Sequence, residues 1–157
     1  MALDIALPPD ANHAPQWPDA PWMPHALGEL GQRELPGGAD NPRVLEYLAT
    51  CTHNPALLHD ETAWCSAFAN WCMEQASVAR THKLNARSWL TWGRETVAPF
   101  KGCVVVFSRP PDPSHGHVGF WMGASGTDVL TLGGNENNAV SIKLYPASRL
   151  LCYRQAA

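Results

Sequence analysis

Hydrophobic residues recur at helical intervals in the middle of the chain and in short runs or alternating positions toward its end. Between residues 60 and 78, apolar side chains lie three and four positions apart, which predicts an amphipathic helix. Its inner face is formed by Trp64, Ala67, Phe68, Trp71 and Gln75. After residue 100 the spacing becomes that of β-strands. Helices followed by strands predict an α+β fold, with N-terminal helices packed on an antiparallel β-meander.

The start of the central helix carries the most informative residue, Cys65. Three preceding residues are suited to cap the helix or occupy its first turn: Asp60, Glu61 and Thr62. We therefore expect the helix to begin near Thr62. A thiol in the first turn lies near free backbone amides, which lower its pKa and favour a nucleophilic role. The alternative is a small buried core residue, which is common for cysteine.

Other helices are expected on both sides of this one. Residues 24–35 predict a first helix that ends at a Pro-Gly-Gly turn, and residues 41–50 predict a second, with Asn41 as cap and Pro42 in the first turn. A short helical segment begins at Arg87. Residues 1–20 are rich in proline and predict a flexible lead, so the domain is expected to span residues 21–157.

The predicted strands supply a candidate base. Residues 103–107 form a buried apolar run, and a Pro-rich loop separates it from the alternating residues 117–123. Alternation places Val118, Phe120 and Met122 on one face and His117 on the other. We expect the helix to pack across the face of His117, so that its imidazole can accept the thiol proton.

A third candidate follows the next predicted strand, residues 128–132. Two glycines come after it, and Asn135 is the first side chain beyond them. Its amide oxygen is suited to hold an imidazole in one tautomer. Rivals ranked below it are Glu136, Asn137 and Asn138, and a polar turn is the alternative interpretation.

Four residues are candidates to line a substrate cleft: Trp64, Ser66, Trp89 and Trp121. Tryptophan offers a broad face for a ligand, although it packs more often in or near a core. These residues are therefore predicted cleft positions with a packing role as the alternative.

Composition limits the class of protein. A chain of 157 residues suits one domain, and a net charge of -3 with a pI near 6.1 gives no footprint for nucleic acid. The apolar runs are too short to cross a membrane, and the first residues lack the pattern of a secretory signal. Cysteine and histidine spacing gives no zinc motif, so no metal or cofactor is expected. Four other cysteines permit up to two disulfides: Cys51, Cys72, Cys103 and Cys152.

Several runs together resemble a bacterial and phage group of small cell-wall amidases related to the CHAP and NlpC-type papain-like peptidases. They are WCSAFANWC, ARSWLTWG, VVVFSR, GHVGF, LGGNENNAVSI and SRLLCYR, and the likeness extends from Pro21 to Arg154. The resemblance implies a papain-like fold, with Cys65 as nucleophile, His117 as base and Asn135 as orienting residue. It also implies peptidoglycan stem peptide as substrate.

The biological setting admits several hypotheses. Without a recognisable signal, a wall hydrolase made in the cytoplasm needs another route to its substrate, through a phage lesion or by injection into a rival periplasm. We favour an antibacterial effector of a contractile, type VI-like secretion machine, with a cognate immunity protein as partner; a phage endolysin is the alternative. A non-catalytic wall-binding homologue and a papain-like protease or transferase acting on proteins also stay open.

Overall fold

The computed structural model describes residues 17–157, in which short helices precede a single antiparallel sheet. The α-helices are α1 (Met23–Gly28), α2 (Pro42–Ala49) and α3 (Cys65–Gln75). Three 3₁₀ helices span Pro55–Leu57, Ala86–Thr91 and Ala147–Arg149. Asn41 caps α2 as predicted, because its side chain accepts a hydrogen bond from the Arg43 amide at 2.9 Å.

Six strands form the sheet. They are β1 (Arg94–Thr96), β2 (Val104–Ser108), β3 (Gly116–Ser125), β4 (Asp128–Glu136), β5 (Ala139–Pro146) and β6 (Leu150–Gln155). The spatial order is β1-β6-β2-β3-β4-β5, with every neighbouring pair antiparallel. Strands β2 to β5 are thus consecutive neighbours in the sheet, and β6 pairs with the other edge of β2. The fold is α+β with an antiparallel sheet, as the sequence predicted.

The two faces of the sheet have different cores. The helix-covered face holds the larger core, in which the rings of Phe68 on α3 and Phe120 on β3 lie 6.4 Å apart. The other face carries a smaller apolar cluster around Val105, Phe107 and Tyr145. Because side chains alternate along a strand, neighbouring residues of β3 reach opposite cores.

Several predicted boundaries differ from the structure. The first helix ends at Gly28 rather than continuing to residue 35, and α3 begins at Cys65 rather than near Thr62. The side chain of Asp60 instead accepts hydrogen bonds from two distant backbone amides, those of Leu35 and Asn41. The carboxylate therefore fastens two loops together and does not cap the helix.

The predicted flexible lead comprises residues 1–20. Residues 1–16 lie outside the described residues. Within the rest of the predicted lead, Trp17 and Ala20 are buried in the main core. Among the described helices, none is long and apolar enough to cross a membrane.

Gly134 provides a test of how α3 packs on the sheet. A β-carbon at this position would lie 2.6 Å from Cβ of Phe68 and 2.9 Å from Cε3 of Trp64. We expect Gly134→Ala to lower the free energy of unfolding by about 1–3 kcal/mol, as overpacking of a core does. Urea unfolding followed by tryptophan fluorescence measures the change. Gly38→Ala, where the added carbon meets nothing within 4 Å, is the control; equal stability of the two variants would contradict this packing.

Candidate active site

Cys65 is the first residue of α3 and borders a cleft of about 400 Å³. Only 7% of the residue is exposed, so the thiol is reached through this cleft. The cleft is lined by Thr62, Ala63, Cys65, Leu84, Asn85, Ala86, Arg109, Ser114, His115, Gly116 and Asn135. The nucleophile candidate thus lies where a helix, the loop before the 3₁₀ helix Ala86–Thr91 and the loop before β3 meet.

The surroundings of the thiol differ from the prediction. Burial raises the pKa of Cys65, while hydrogen bonds from the backbone amides of Val118 and Ser66 and the positive charge of Arg109 lower it. The net pKa is above the ordinary thiol value. The expected depression by the helix terminus is therefore outweighed by desolvation, which disfavours the charged thiolate.

His117 is buried on the opposite face of the sheet from the body of α3. Its ring stacks against Tyr145, with centroids 4.7 Å apart, and lies 6.4 Å from the ring of Phe107. Burial lowers the pKa of His117 to about 3, with the nearby positive charges acting in the same direction. The imidazole is consequently neutral near pH 7.

The expected helix placement was wrong in one respect. The body of α3 packs on the face of Val118 and Phe120, and not on the face of His117. Cys65 nevertheless approaches the histidine, because its thiol takes a hydrogen bond from the amide of Val118, the next residue along β3. Nδ1 of His117 has no hydrogen-bond partner among the described residues, so no such bond joins it to the thiol in this state.

Glu136, rather than Asn135, makes the contact with the imidazole. Oε1 of Glu136 and Nε2 of His117 are hydrogen-bonded at 2.9 Å, and both side chains are almost completely buried. Burial raises the pKa of Glu136, an effect that the positive charge of Lys143 opposes. With Glu136 ionised, this contact holds the imidazole proton on Nε2 and leaves Nδ1 the lone pair that a base requires.

Strand β4 was predicted to end at residue 132, which made Asn135 the expected partner of the imidazole. The strand continues through both glycines to Glu136, but its register with β5 shifts between Gly133 and Glu136. Asn135 has a φ of 58° within this irregular stretch, and it borders the cleft. A β-carbon on Gly133 would lie 2.5 Å from Oε1 of Glu136 and 3.1 Å from Nε2 of His117, so glycine makes room for the pair.

The predicted cleft residues lie elsewhere. Trp64, Ser66 and Trp89 are fully buried, and Trp121 packs against the smaller cluster on the other face. The indole of Trp64 donates to Glu34 at 3.0 Å. The three tryptophans therefore pack in the interior, because their large apolar surfaces are better buried than exposed.

Ser66 has a structural role beside the nucleophile. Its hydroxyl donates to the carbonyl of Lys83 at 2.6 Å and accepts from the indole of Trp89 at 2.9 Å. Asn70, one turn further along α3, donates to Thr81 and accepts from the amide of His82. This network, which we call the serine brace, ties the start of α3 to the chain that continues into the cleft wall.

Arg109 and Asn85 are among the cleft residues that the sequence did not predict. Arg109 directly follows β2, and Asn85 caps the 3₁₀ helix Ala86–Thr91 by accepting a hydrogen bond from the Arg87 amide. The available signals were a cation at a strand end and an asparagine before a helical segment.

All five cysteines, which lie in the described part of the chain, are free thiols. The same part contains no cluster of three or more His, Cys, Asp or Glu residues arranged to hold a metal.

Comparison with known families places the nucleophile and the base candidates in one domain. The family model of the CHAP domain matches residues 58–135, about half of the chain. The chain therefore belongs to the CHAP-domain family, as its sequence predicted. The match includes Cys65 and His117 and ends one residue before Glu136. No curated protein matches the chain. CHAP domains are typically cysteine peptidases or amidases that act on peptidoglycan.

The histidine contact predicts different effects of two neighbouring substitutions. Glu136→Ala should lower kcat by roughly 10²- to 10⁴-fold, because the imidazole loses the group that selects its tautomer. Asn135→Ala should cost less, since its side chain has no contact with the ring. Steady-state hydrolysis of wall fragments measures both. A larger loss for Asn135→Ala would restore the sequence-based ranking.

The raised thiol pKa predicts the pH dependence of alkylation. Only the thiolate reacts, so at neutral pH Cys65 should react with iodoacetamide more slowly than an unhindered cysteine peptide. Its rate should continue to increase with pH beyond 9.0, the ordinary value from which the pKa is raised. Mass spectrometry of the peptide that contains Cys65 follows the reaction. A plateau at neutral pH would instead indicate a preformed thiolate.

Proposed function

We propose that this protein hydrolyses an amide bond of the peptidoglycan stem peptide, as an endopeptidase or amidase that uses Cys65 and His117. The observation that carries the proposal is a cleft-facing thiol at a helix start beside a buried histidine whose Nε2 is bound by a carboxylate. The CHAP match over residues 58–135, which include the thiol and the histidine, supports a wall substrate and a papain-like arrangement of the parts.

The chemistry follows from which nitrogen is available. On substrate binding, Nδ1 of His117 takes the thiol proton as Sγ of Cys65 attacks the carbonyl carbon. First-turn amides of α3 that lack helical partners donate to the developing oxyanion. The amine leaves with the proton from Nδ1, and a thioester forms. Water, deprotonated by the same nitrogen, then releases the acid and restores the thiol.

The neutral resting pair determines when the thiolate forms. Because burial raises the thiol pKa and lowers that of the imidazole, transfer before substrate arrives would create two poorly solvated charges. We therefore infer that transfer accompanies attack. Glu136 compensates the imidazolium as it forms, and its ionised form is required for that role.

A non-catalytic wall-binding homologue is the second candidate. The observation in its favour is the absence, among the described residues, of a hydrogen bond from the thiol to Nδ1. Such a protein would bind sacculi without releasing products. Product analysis separates the two functions directly.

Delivery to a rival periplasm, with an immunity protein in the producer, stays a prediction. A disulfide would favour an oxidising compartment such as the periplasm, but the four cysteines that could form one are free thiols. Production of the protein in the cytoplasm or in the periplasm of a test bacterium, with lysis as the measurement, tests this prediction. Lysis should require the periplasmic form, and equal toxicity in both compartments would contradict wall hydrolysis as its cause.

Removal of the nucleophile tests the proposed reaction. Cys65→Ala should abolish release of soluble fragments from purified sacculi, since no other group in the cleft can form the thioester. Circular dichroism of the same preparation should match the wild type, because only one sulfur atom is lost. Cys152→Ser, which alters a half-buried thiol outside the cleft lining, is the matched control and should retain activity. Wild-type release by Cys65→Ala would exclude this thiol as the nucleophile.

A further inference from the structure

The cleft contains a cation without an acidic partner. Arg109 lines the cleft, is exposed, and forms no hydrogen bond or ion pair with the described residues. The other basic side chain of the lining, His115, lies 3.5 Å from the carboxylate of Asp112. That carboxylate also accepts two hydrogen bonds from Ser114. The charge of Arg109 is therefore the one left for an occupant of the cleft.

Arg109 also lies close to the reacting groups. Its charge favours the thiolate of Cys65 and opposes protonation of His117, so its field reaches both. Neither Lys143 nor Arg149, whose charges also act on His117, belongs to the cleft lining. A group bound by Arg109 would thus lie near the bond that Sγ attacks.

Charge balance indicates which group that is. Among residues 17–157, no aspartate or glutamate lines the cleft, although the whole chain has a net charge of -3. An acidic chain repels an anionic ligand, so a local cation is needed where such a ligand enters. Guanidinium binds carboxylates in a bidentate geometry that also fixes their orientation.

We propose that Arg109 binds a free carboxylate of the substrate next to the scissile amide, so that the enzyme prefers acidic peptides to their amidated forms. This inference deepens the proposed function, since it names the substrate group recognised at the same site. For a wall peptide, it means that amidation of a carboxyl beside the cleaved bond protects the bond. Arg109 is then a residue that determines specificity.

Alkylation of Cys65 tests the recognition of carboxylate without any wall substrate. Iodoacetate and iodoacetamide both transfer a carbon to the thiolate and release iodide, but only iodoacetate carries a carboxylate. The ratio of their rates therefore cancels the thiolate fraction. We expect Arg109→Gln to lower the iodoacetate-to-iodoacetamide ratio at Cys65 by roughly three- to tenfold, the effect of losing one partly exposed charge contact. Peptide mass spectrometry reports on Cys65 alone.

Arg94→Gln is the matched control, because it removes the same charge from an exposed residue of β1 outside the cleft lining. It should leave the ratio at the wild-type value, and Arg109→Lys should retain part of the preference. An unchanged ratio in Arg109→Gln would overturn the proposal. Equal slowing by both reagents would also overturn it, since Arg109 would then act on the thiol and not on the carboxylate.

Wall peptides extend the test to turnover. Wild-type kcat/KM should fall roughly tenfold when the carboxyl beside the cleaved bond is amidated, and Arg109→Gln should cleave both forms at the lower rate. Additive losses from the substitution and the amidation would overturn the proposal. If neither peptide is cleaved while the alkylation ratio changes as expected, carboxylate recognition is supported and peptidoglycan hydrolysis fails. The two ideas are thus separable.

Discussion

The hydrogen bond between His117 and Glu136 depends on the burial of both faces of the sheet by separate apolar clusters. Helix α3 covers one face, yet the histidine and its carboxylate partner are buried on the other. The thiol comes near them because Cys65 is the first residue of α3 and accepts a hydrogen bond from the amide of Val118, which follows His117 on β3. The first residue of one helix therefore brings the two halves of the site together.

Much of the fold follows from local signals. The cap at Asn41 and the apolar runs that become β2, β3 and the first part of β4 were predicted because short-range spacing and turn residues specify them. The candidate thiol and imidazole were found for the same reason. Their placement at a helix start and a strand start depends on neighbours in the chain.

The errors arose where distant residues decide the outcome. Asp60 looks like a capping residue, but two amides from other loops take its carboxylate. The register of β4 with β5 shifts between Gly133 and Glu136, where Asn135 has a positive φ, and the imidazole is hydrogen-bonded to Glu136. Burial likewise outweighs the helix terminus in the thiol pKa, because desolvation depends on the whole surrounding core. Tertiary burial, rather than local conformation, was the missing information.

The serine brace has a consequence for how this site can change. The hydroxyl of Ser66, adjacent to the nucleophile, holds the carbonyl of Lys83, and the next residue of that loop already belongs to the cleft wall. The nucleophile and the cleft wall at Leu84 are therefore held in place by the same hydrogen bond. A substitution that widens the cleft by shifting this loop also displaces the thiol from the strand. Broader substrate range through that wall is thus coupled to slower chemistry.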